Sequence, residues 1–187
     1  MKNVRISPLL VCLLCVSIYF GWGSMVGAAI LAVLCHELGH VAAIFLCRKR
    51  ITSISFGVIG AAIETEPMTY RQELLCASMG PLINFILFSI CYRFNMVFGL
   101  VNLILLVYNI LPVYPLDGGR MLRAFLLIRI SEDKVRRIVH IISAIFTAIL
   151  MISSVCIVIY LQWGLWPMFL AAMILWKTGM AASRDGY

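Results

Sequence analysis

Three residues that can do chemistry, His36, Glu37 and His40, stand inside an otherwise apolar stretch with the sequence LAVLCHELGHV. If the stretch is helical, His36 and His40 lie one turn apart on the same face, so both imidazoles can bind one metal ion with Glu37 beside them. Zinc suits two neutral imidazoles and one oxygen ligand, and it lowers the pKa of a water in its open fourth position to about 7. The spacing therefore predicts a zinc site in which Glu37 is the general base.

Glu37 also lies in a segment that is apolar enough to cross a membrane. An ionisable side chain near the bilayer centre costs about 2.5 to 3.5 kcal/mol on an insertion scale, so we expect it to be paired or used. His36 precedes Cys47, the end of this run, by eleven residues. That distance is about 16 Å along a helix, roughly half of a 30 Å hydrocarbon core. We therefore expect an intramembrane metal reached from the cytoplasmic side.

The composition is that of a multi-span membrane protein. Of the 187 residues, 63% are hydrophobic and 12% are charged, which is more apolar surface than a soluble domain of this length can bury. Each crossing needs about 20 apolar residues. We predict an all-α membrane protein with six transmembrane helices in a single domain over residues 1–187. The predicted spans are residues 8–22, 25–47, 73–92, 95–111, 138–161 and 165–180.

The segment 51–66 differs in kind from the spans. It is rich in β-branched residues, contains Gly57 and Gly60, and is too short and too polar at its ends to cross a bilayer as a helix. These features predict a short re-entrant β-hairpin or loop after the second span, and a plain surface loop is the alternative. A hairpin could offer an edge strand to an extended substrate.

The formal net charge of +7 raises the question of a nucleic-acid partner. The basic residues lie at the ends of apolar runs and form no separate patch, so we expect no nucleic acid to bind. With six spans, one side of the membrane receives the basic residues of segments 2–5, 48–50, 71, 120–137 and 177–184, and the other side receives only Arg93. The positive-inside rule then places both termini in the cytoplasm.

A second polar feature interrupts the fourth apolar run, in the sequence YNILPVYPLDGGR of residues 108–120. Pro112 and Pro115 each lack an amide donor and disturb a helix, while Gly118 and Gly119 allow backbone turns closed to other residues. Broken backbone at membrane depth is tolerated only against protein or a water-filled cavity. We therefore expect Asp117 to lie in a polar pocket.

Taken together, HELGH and the Asn-x-x-Pro-x-x-Pro-x-Asp-Gly pattern strongly resemble the site-2 protease family of intramembrane zinc metalloproteases. The stretch SMGPLIN, residues 78–84, is similar to the glycine-proline segment of that family's third helix. The resemblance implies one zinc ion with His36, His40 and Asp117 as ligands and Glu37 as the base. It further implies that Asn109 binds the substrate backbone or the developing oxyanion; a buried amide that caps the helix break is the alternative.

The resemblance also implies the class of substrate. Asn109, Pro112, Pro115 and Gly57 are expected to line the substrate site. The family cleaves membrane-associated proteins in or near their membrane segment, and the compact branch that includes a sporulation protease favours a pro-sigma factor or another regulatory protein. The expected partners are this substrate, the lipid bilayer and an inhibitory membrane protein. We expect no CBS or PDZ domain, because only seven residues follow Met180 and no insertion is large enough.

Two other classes of function fit parts of the pattern. A metal transporter would use His36, His40 and Asp117 as a transit site, but it would need ligands along a path and inverted repeats, and the sequence has neither. A non-catalytic membrane chaperone of the same fold would have no need of Glu37, which has no structural task as a ligand.

Overall fold

The computed structural model of the protein describes residues 3–6, 23–57, 60–161, 171–172, 174–176 and 178–179. The elements in chain order are β1 (Asn3–Ile6), α1 (Gly23–Leu46), β2 (Ile51–Gly57), β3 (Gly60–Thr65), α2 (Tyr70–Cys91), α3 (Met96–Ile110), α4 (Asp117–Leu127) and α5 (Glu132–Leu161). The chain divides into two compact units, Met1–Asn109 and Ile110–Tyr187.

In the first unit, α1 and α2 pack together along small side chains. The buried small residues are Ala32, Gly39 and Ala43 on α1 and Cys76, Ala77 and Gly80 on α2. A Cβ atom on Gly39 would lie 2.8 Å from the backbone oxygen of Met79, so the glycine lets the two backbones approach closely. Lipid supplies no hydrophobic driving force between helices, and close packing of this kind takes its place.

A small sheet with the strand order β1-β2-β3 packs beside these helices. β2 and β3 form an antiparallel hairpin in which Ile51 pairs with Thr65 and Gly57 pairs with Gly60. Ile51 belongs to a buried cluster that includes Ile44 of α1, and Ile63 packs against this cluster. The structure therefore confirms the predicted β-hairpin.

The third strand, β1, was not predicted. It pairs in parallel with β2, in a register that places Asn3 opposite Ser53 and Ile6 opposite Phe56. A run of four residues is too short to show a strand period, and its partner lies far away in the sequence.

The second unit contains α4 and α5. Its core is formed by Leu127, Val135 and Val139, with Leu122 and Leu126 packed around them. The backbone amide of Tyr114 donates a hydrogen bond of 3.0 Å to Oγ of Ser143, which ties the turn before α4 to the middle of α5. Exposed isoleucines follow one another along α5, at positions 145, 149, 152 and 159. Such a surface suits contact with lipid.

Among the described residues, α1, α2 and α5 are long and apolar enough to cross a membrane, and α3 is a shorter apolar helix of 15 residues. In sequence these four helices overlap the predicted second, third, fifth and fourth spans, and the six membrane crossings stay a prediction. The predicted first span, 8–22, lies outside the described residues. Of the predicted sixth span, 165–180, only residues 171–172, 174–176 and 178–179 are described, and they are helical.

α5 begins at Glu132, six residues before the start of the predicted fifth span at residue 138. The prediction concerned the apolar span and left the basic residues before it outside the membrane. Lysine and arginine are good helix formers, however, and Lys134, Arg136 and Arg137 are exposed, so their charges do not interrupt the helix.

A capping box starts α2. Oγ1 of Thr69 accepts a hydrogen bond from the backbone amide of Gln72 at 3.4 Å, and the backbone amide of Thr69 donates to Oε1 of Gln72 at 3.0 Å. Two amides that the helix leaves without partners are thus satisfied at its first turn.

We expect Thr69→Ala to lower the free energy of unfolding by about 1 kcal/mol, because the substitution removes the oxygen that accepts from Gln72. Thr69→Ser keeps that oxygen and should restore most of the loss. Denaturant unfolding of the detergent-solubilised protein, followed by far-ultraviolet circular dichroism, measures both variants. Equal stability of the parent protein and Thr69→Ala would show that the cap contributes nothing.

Candidate metal centre

The two histidines of the HELGH sequence lie in the middle of α1. His36 and His40 are 5% and 8% exposed, so both imidazoles are removed from the surface of a helix that is otherwise apolar. Their rings meet edge to face with centroids 4.8 Å apart. The helix predicted for this stretch is confirmed, and it brings the two side chains to one face.

Each imidazole is held at its Nδ1 atom by an oxygen acceptor. Nδ1 of His40 donates a hydrogen bond of 2.7 Å to the backbone oxygen of Cys76, and Nδ1 of His36 donates to Oδ1 of Asn84. Both acceptors are on α2. A neutral imidazole that donates at Nδ1 carries a lone pair on Nε2. Both rings therefore present Nε2 as a potential ligand atom.

The Nε2 atoms of His36 and His40 lie 3.1 Å apart. Two lone pairs at this distance repel each other unless a cation or a proton lies between them. Tetrahedral zinc with Zn–N bonds of about 2.0 to 2.1 Å holds two nitrogen ligands about 3.3 Å apart. The pair therefore fits a metal ion, and both Nδ1 atoms already have the acceptors typical of metal-bound histidine.

Gly80 of α2 makes room for the histidine pair. A Cβ atom at this position would lie 2.5 Å from Nε2 of His40 and 2.7 Å from Cε1 of His36. The rings cannot move aside without breaking their Nδ1 hydrogen bonds. The site therefore requires a residue without a side chain at position 80.

Glu37 follows His36 in the chain and is half-buried. It is adjacent to His36 and three residues before His40, and helical residues three apart are neighbours on the helix surface. Its role as the general base stays a prediction.

Asp117 belongs to the second unit, where it is the first residue of α4 and is 7% exposed. The positive end of the helix dipole favours a carboxylate at this position. Nη1 of Arg120, one turn further on, lies 3.4 Å from Oδ1 of Asp117. The carboxylate therefore lies beside a cationic side chain and at the start of a helix.

The turn before α4 folds back onto the first turn of this helix. A Cβ atom on Gly118 would collide with the backbone carbonyl of Ile110, and one on Gly119 would collide with that of Val113. The peptide bond between Tyr114 and Pro115 is cis. The two glycines therefore allow the close approach that fixes where α4 begins, and with it the position of the acidic residue in this unit.

The other residues predicted for the site are spread over both units. Asn109 is half-buried at the end of α3 in the first unit, and Pro112 and Pro115 lie in the turn before α4 in the second. Gly57 ends β2, where it pairs with Gly60. Their roles in substrate binding stay predictions.

Two residues of the centre were not identified from the sequence. Asn84 and Asn102 are both 0% exposed, and Nδ2 of Asn84 donates a hydrogen bond of 2.8 Å to Oδ1 of Asn102. Each of these asparagines lies within an apolar run of the sequence. Because a buried polar group in a membrane helix requires a partner, this position was a signal that could have identified them.

Comparison with known families supports the resemblance seen in the motifs. Residues 88–153 match the model of Peptidase family M50, a range that contains Asp117 but not the histidine pair. The chain is 26% identical over 180 residues to stage IV sporulation protein FB of Bacillus subtilis, an alignment that covers 89% of this chain and 62% of that protein. It is 29% identical over 121 residues to the zinc metalloprotease MJ0392 of Methanocaldococcus jannaschii, covering 56% of this chain and 35% of that protein.

The chain thus spans less than two thirds of the length of each of these curated relatives. Among solved structures, its fold is similar to that of a site-2 protease from Methanocaldococcus jannaschii, with a TM-score of 0.72 and 21% identity over 96% of this chain and 91% of that one. The predicted resemblance to the site-2 protease family is confirmed.

We expect Gly80→Ala to weaken Zn²⁺ binding by about 10- to 100-fold, the range typical of losing support around a ligand, because the new methyl group displaces both imidazoles. Gly27→Ala is the matched control, since a Cβ at Gly27 meets nothing within 4 Å. Competition with a zinc-chelating dye measures the affinity. Unchanged binding in Gly80→Ala would mean that the imidazoles do not hold the metal in this arrangement.

Proposed function

We propose that this chain is an intramembrane zinc metalloprotease of the site-2 type, which hydrolyses a peptide bond in or near the membrane segment of a membrane-associated protein. The observation that carries the proposal is the histidine pair on α1. The two buried Nε2 atoms are 3.1 Å apart, and each ring donates from Nδ1 to an oxygen acceptor. The fold similarity to a site-2 protease supports the same conclusion.

Asp117 is proposed as the third ligand. Like His36 and His40, it is buried and offers one ligand atom, and the three residues together form the set of two imidazoles and one oxygen that zinc accepts. Its place at the first turn of α4 is one at which the helix dipole favours an acidic side chain. The fourth position is left to water and substrate.

Zn²⁺ bound at this position would supply Lewis acidity, which lowers the pKa of a coordinated water to about 7 and polarises the scissile carbonyl. Glu37 takes the proton from the attacking water and passes it to the nitrogen of the leaving amine. Because Glu37 follows His36 directly and precedes His40 by three residues, its side chain starts next to the histidine pair. The amide of Asn109 is proposed to hold the substrate backbone or the developing oxyanion.

A substrate helix must open before it can be cut, because its carbonyl groups are held in hydrogen bonds. We infer that the β2–β3 hairpin receives the opened segment. In the order β1-β2-β3, β2 has neighbours on both sides, so β3 is the edge of the hairpin at which an added strand can pair. Gly57, Pro112 and Pro115 are proposed to line the path of this segment.

The substrate proposed here is a pro-sigma factor or another regulatory protein of sporulation-type signalling. The name of the relative that aligns with 89% of this chain, stage IV sporulation protein FB, supports this choice. The basic residues at the ends of the apolar runs support cytoplasmic termini. A membrane protein that inhibits the enzyme completes the proposal.

Glu37→Gln is expected to keep Zn²⁺ bound and to slow cleavage by about 10²- to 10⁴-fold, because an amide cannot accept the proton of the attacking water. The test is co-expression of the parent protein or the variant with candidate membrane-associated pro-proteins, pro-sigma factors among them, with cleavage followed by gel mobility. Glu132→Gln is the control. Glu132 forms only a surface ion pair with Arg123, at 3.5 Å, so this variant should cleave the substrate as the parent protein does.

Cleavage retained by Glu37→Gln would remove this residue from the mechanism. The transporter alternative makes a different prediction for the same proteins. If reconstituted vesicles take up Zn²⁺ and no candidate substrate is cut, the metal is cargo and the protease proposal fails.

Asp117→Ala is expected to weaken Zn²⁺ binding strongly, because the substitution removes a direct ligand. Loss of a residue that only supports a ligand weakens binding by roughly 10- to 100-fold, and the loss here should be larger. Asp117→Asn keeps the shape of the side chain but not its charge, and it should also weaken binding. Asp133→Ala removes an exposed acid from the first turn of α5 and serves as the matched control. Equal zinc affinity of the parent protein and both Asp117 variants would exclude this residue as a ligand.

A further inference from the structure

Two buried side-chain amides connect His36 to two further helices. Nδ1 of His36 donates to Oδ1 of Asn84 on α2. Nδ2 of Asn84 donates at 2.8 Å to Oδ1 of Asn102 on α3, and Nδ2 of Asn102 donates at 2.9 Å to the backbone oxygen of Phe98. Both asparagines are fully buried. The three hydrogen bonds form a single line that starts at an imidazole and ends at a peptide carbonyl.

The carbonyl at the end of this line sets the direction of every bond in it. A peptide oxygen can only accept, so Asn102 must turn its Nδ2 toward Phe98 and its Oδ1 toward Asn84. Asn84 must then turn its own Nδ2 toward Asn102, which leaves its Oδ1 facing His36. Because Oδ1 of Asn84 is an acceptor, the imidazole of His36 must carry its proton on Nδ1. The lone pair of His36 is therefore fixed on Nε2, the atom that faces His40.

The two histidines reach the same tautomer by different means. Nδ1 of His40 donates directly to the backbone oxygen of Cys76, an acceptor that no side-chain substitution removes. The acceptor for His36 is a side chain whose orientation depends on a second side chain. His36 is thus the histidine whose tautomer depends on side chains outside α1, whereas that of His40 depends on a backbone oxygen.

We propose that Asn84 and Asn102 are positioning residues, which hold His36 in the Nδ1-protonated tautomer and aim its Nε2 at the metal. Asn84 acts on the imidazole, and Asn102 acts through Asn84 by preventing its amide from turning over. The metal invoked here rests on the proposed function, whereas the tautomer is a property of the metal-free protein as well.

Zinc affinity is the first test, measured on the purified full chain in detergent by competition with a chelating dye. Asn84→Leu removes the acceptor and is expected to weaken Zn²⁺ binding by about 10- to 100-fold. Asn84→Asp keeps an acceptor for Nδ1 but cannot donate to Asn102, so it should lose thermal stability and keep nearly parental affinity. If Asn84 had only a structural role, the loss of zinc affinity would parallel the loss of thermal stability in both variants.

Asn102 is tested by its dependence on Asn84. Asn102→Leu alone is expected to weaken Zn²⁺ binding less than Asn84→Leu does, because Asn84 can still present Oδ1 for part of the time. The double variant should bind Zn²⁺ no more weakly than Asn84→Leu alone, since Asn102 has no other route to the metal. Additive losses would contradict this route.

Asn95→Ala is the matched control on α3. Oδ1 of Asn95 accepts from the backbone amide of Phe98 at 3.0 Å, so this asparagine supports the start of α3 without a bond to the amide line. Its substitution should leave zinc affinity unchanged. A loss of affinity equal to that of Asn102→Leu would show that general disturbance of α3 is the cause.

The tautomer can be read directly in the metal-free protein by ¹⁵N NMR of labelled histidine, because protonated and unprotonated ring nitrogens differ widely in chemical shift. The chain has three histidines, so His40→Ala and His140→Ala assign the signals. We expect His36 to carry its proton on Nδ1 in the parent protein and in Asn84→Asp, and to populate both tautomers in Asn84→Leu and Asn102→Leu.

The outcomes separate this inference from the proposed function. A parent protein that binds no Zn²⁺ overturns the protease proposal, while the NMR signals still decide on the tautomer. A folded Asn84→Leu variant with parental zinc affinity and an unchanged His36 tautomer overturns the inference alone. If Asn84→Leu does not fold, the test is made with Asn102→Leu. The inference is overturned if this variant keeps parental zinc affinity and His36 carries its proton only on Nδ1.

Discussion

The close approach of α1 and α2 is the constraint on which the rest of the centre depends. Gly39 faces the backbone of Met79, and Gly80 faces both imidazoles, so neither contact leaves space for a side chain. At this separation the acceptors on α2 come within hydrogen-bond distance of the two Nδ1 atoms on α1. A pair of helices further apart would leave the histidines without partners in apolar surroundings, which costs several kcal/mol for each unsatisfied group.

On α1 and α2 the buried polar side chains therefore lie where the two helices are closest, and most of the exposed side chains of these two helices are apolar. His36, Asn84 and Asn102 are buried together within the first unit. Their mutual hydrogen bonds replace water, and in a medium of low polarity such a line is rigid because each member has few other partners. The arrangement explains how an apolar helix pair accommodates two imidazoles in an orientation suitable for a metal.

Local features of the site could be predicted from sequence, and long-range ones could not. The pairing of His36 with His40 follows from a spacing of one helical turn, and β-branched residues with glycines predicted the hairpin. The bond between Asn84 and Asn102 depends on the rotation and depth of two separate helices, which the sequence does not encode in any period. For the same reason the sequence did not indicate β1, whose partner strand begins 45 or more residues later.

The brevity of α3 has a consequence for the lipid around the protein. At 1.5 Å per residue, its 15 residues span about 22 Å, whereas a typical hydrocarbon core is about 30 Å thick. Such hydrophobic mismatch is relieved by local thinning of the bilayer or by headgroups and water that descend to the end of the helix. The chain leaves the helical conformation beyond Ile110. The last carbonyl groups of a helix accept no hydrogen bond within it, so a polar environment at this end is favourable. Thin membranes should therefore accommodate this protein at the lowest elastic cost.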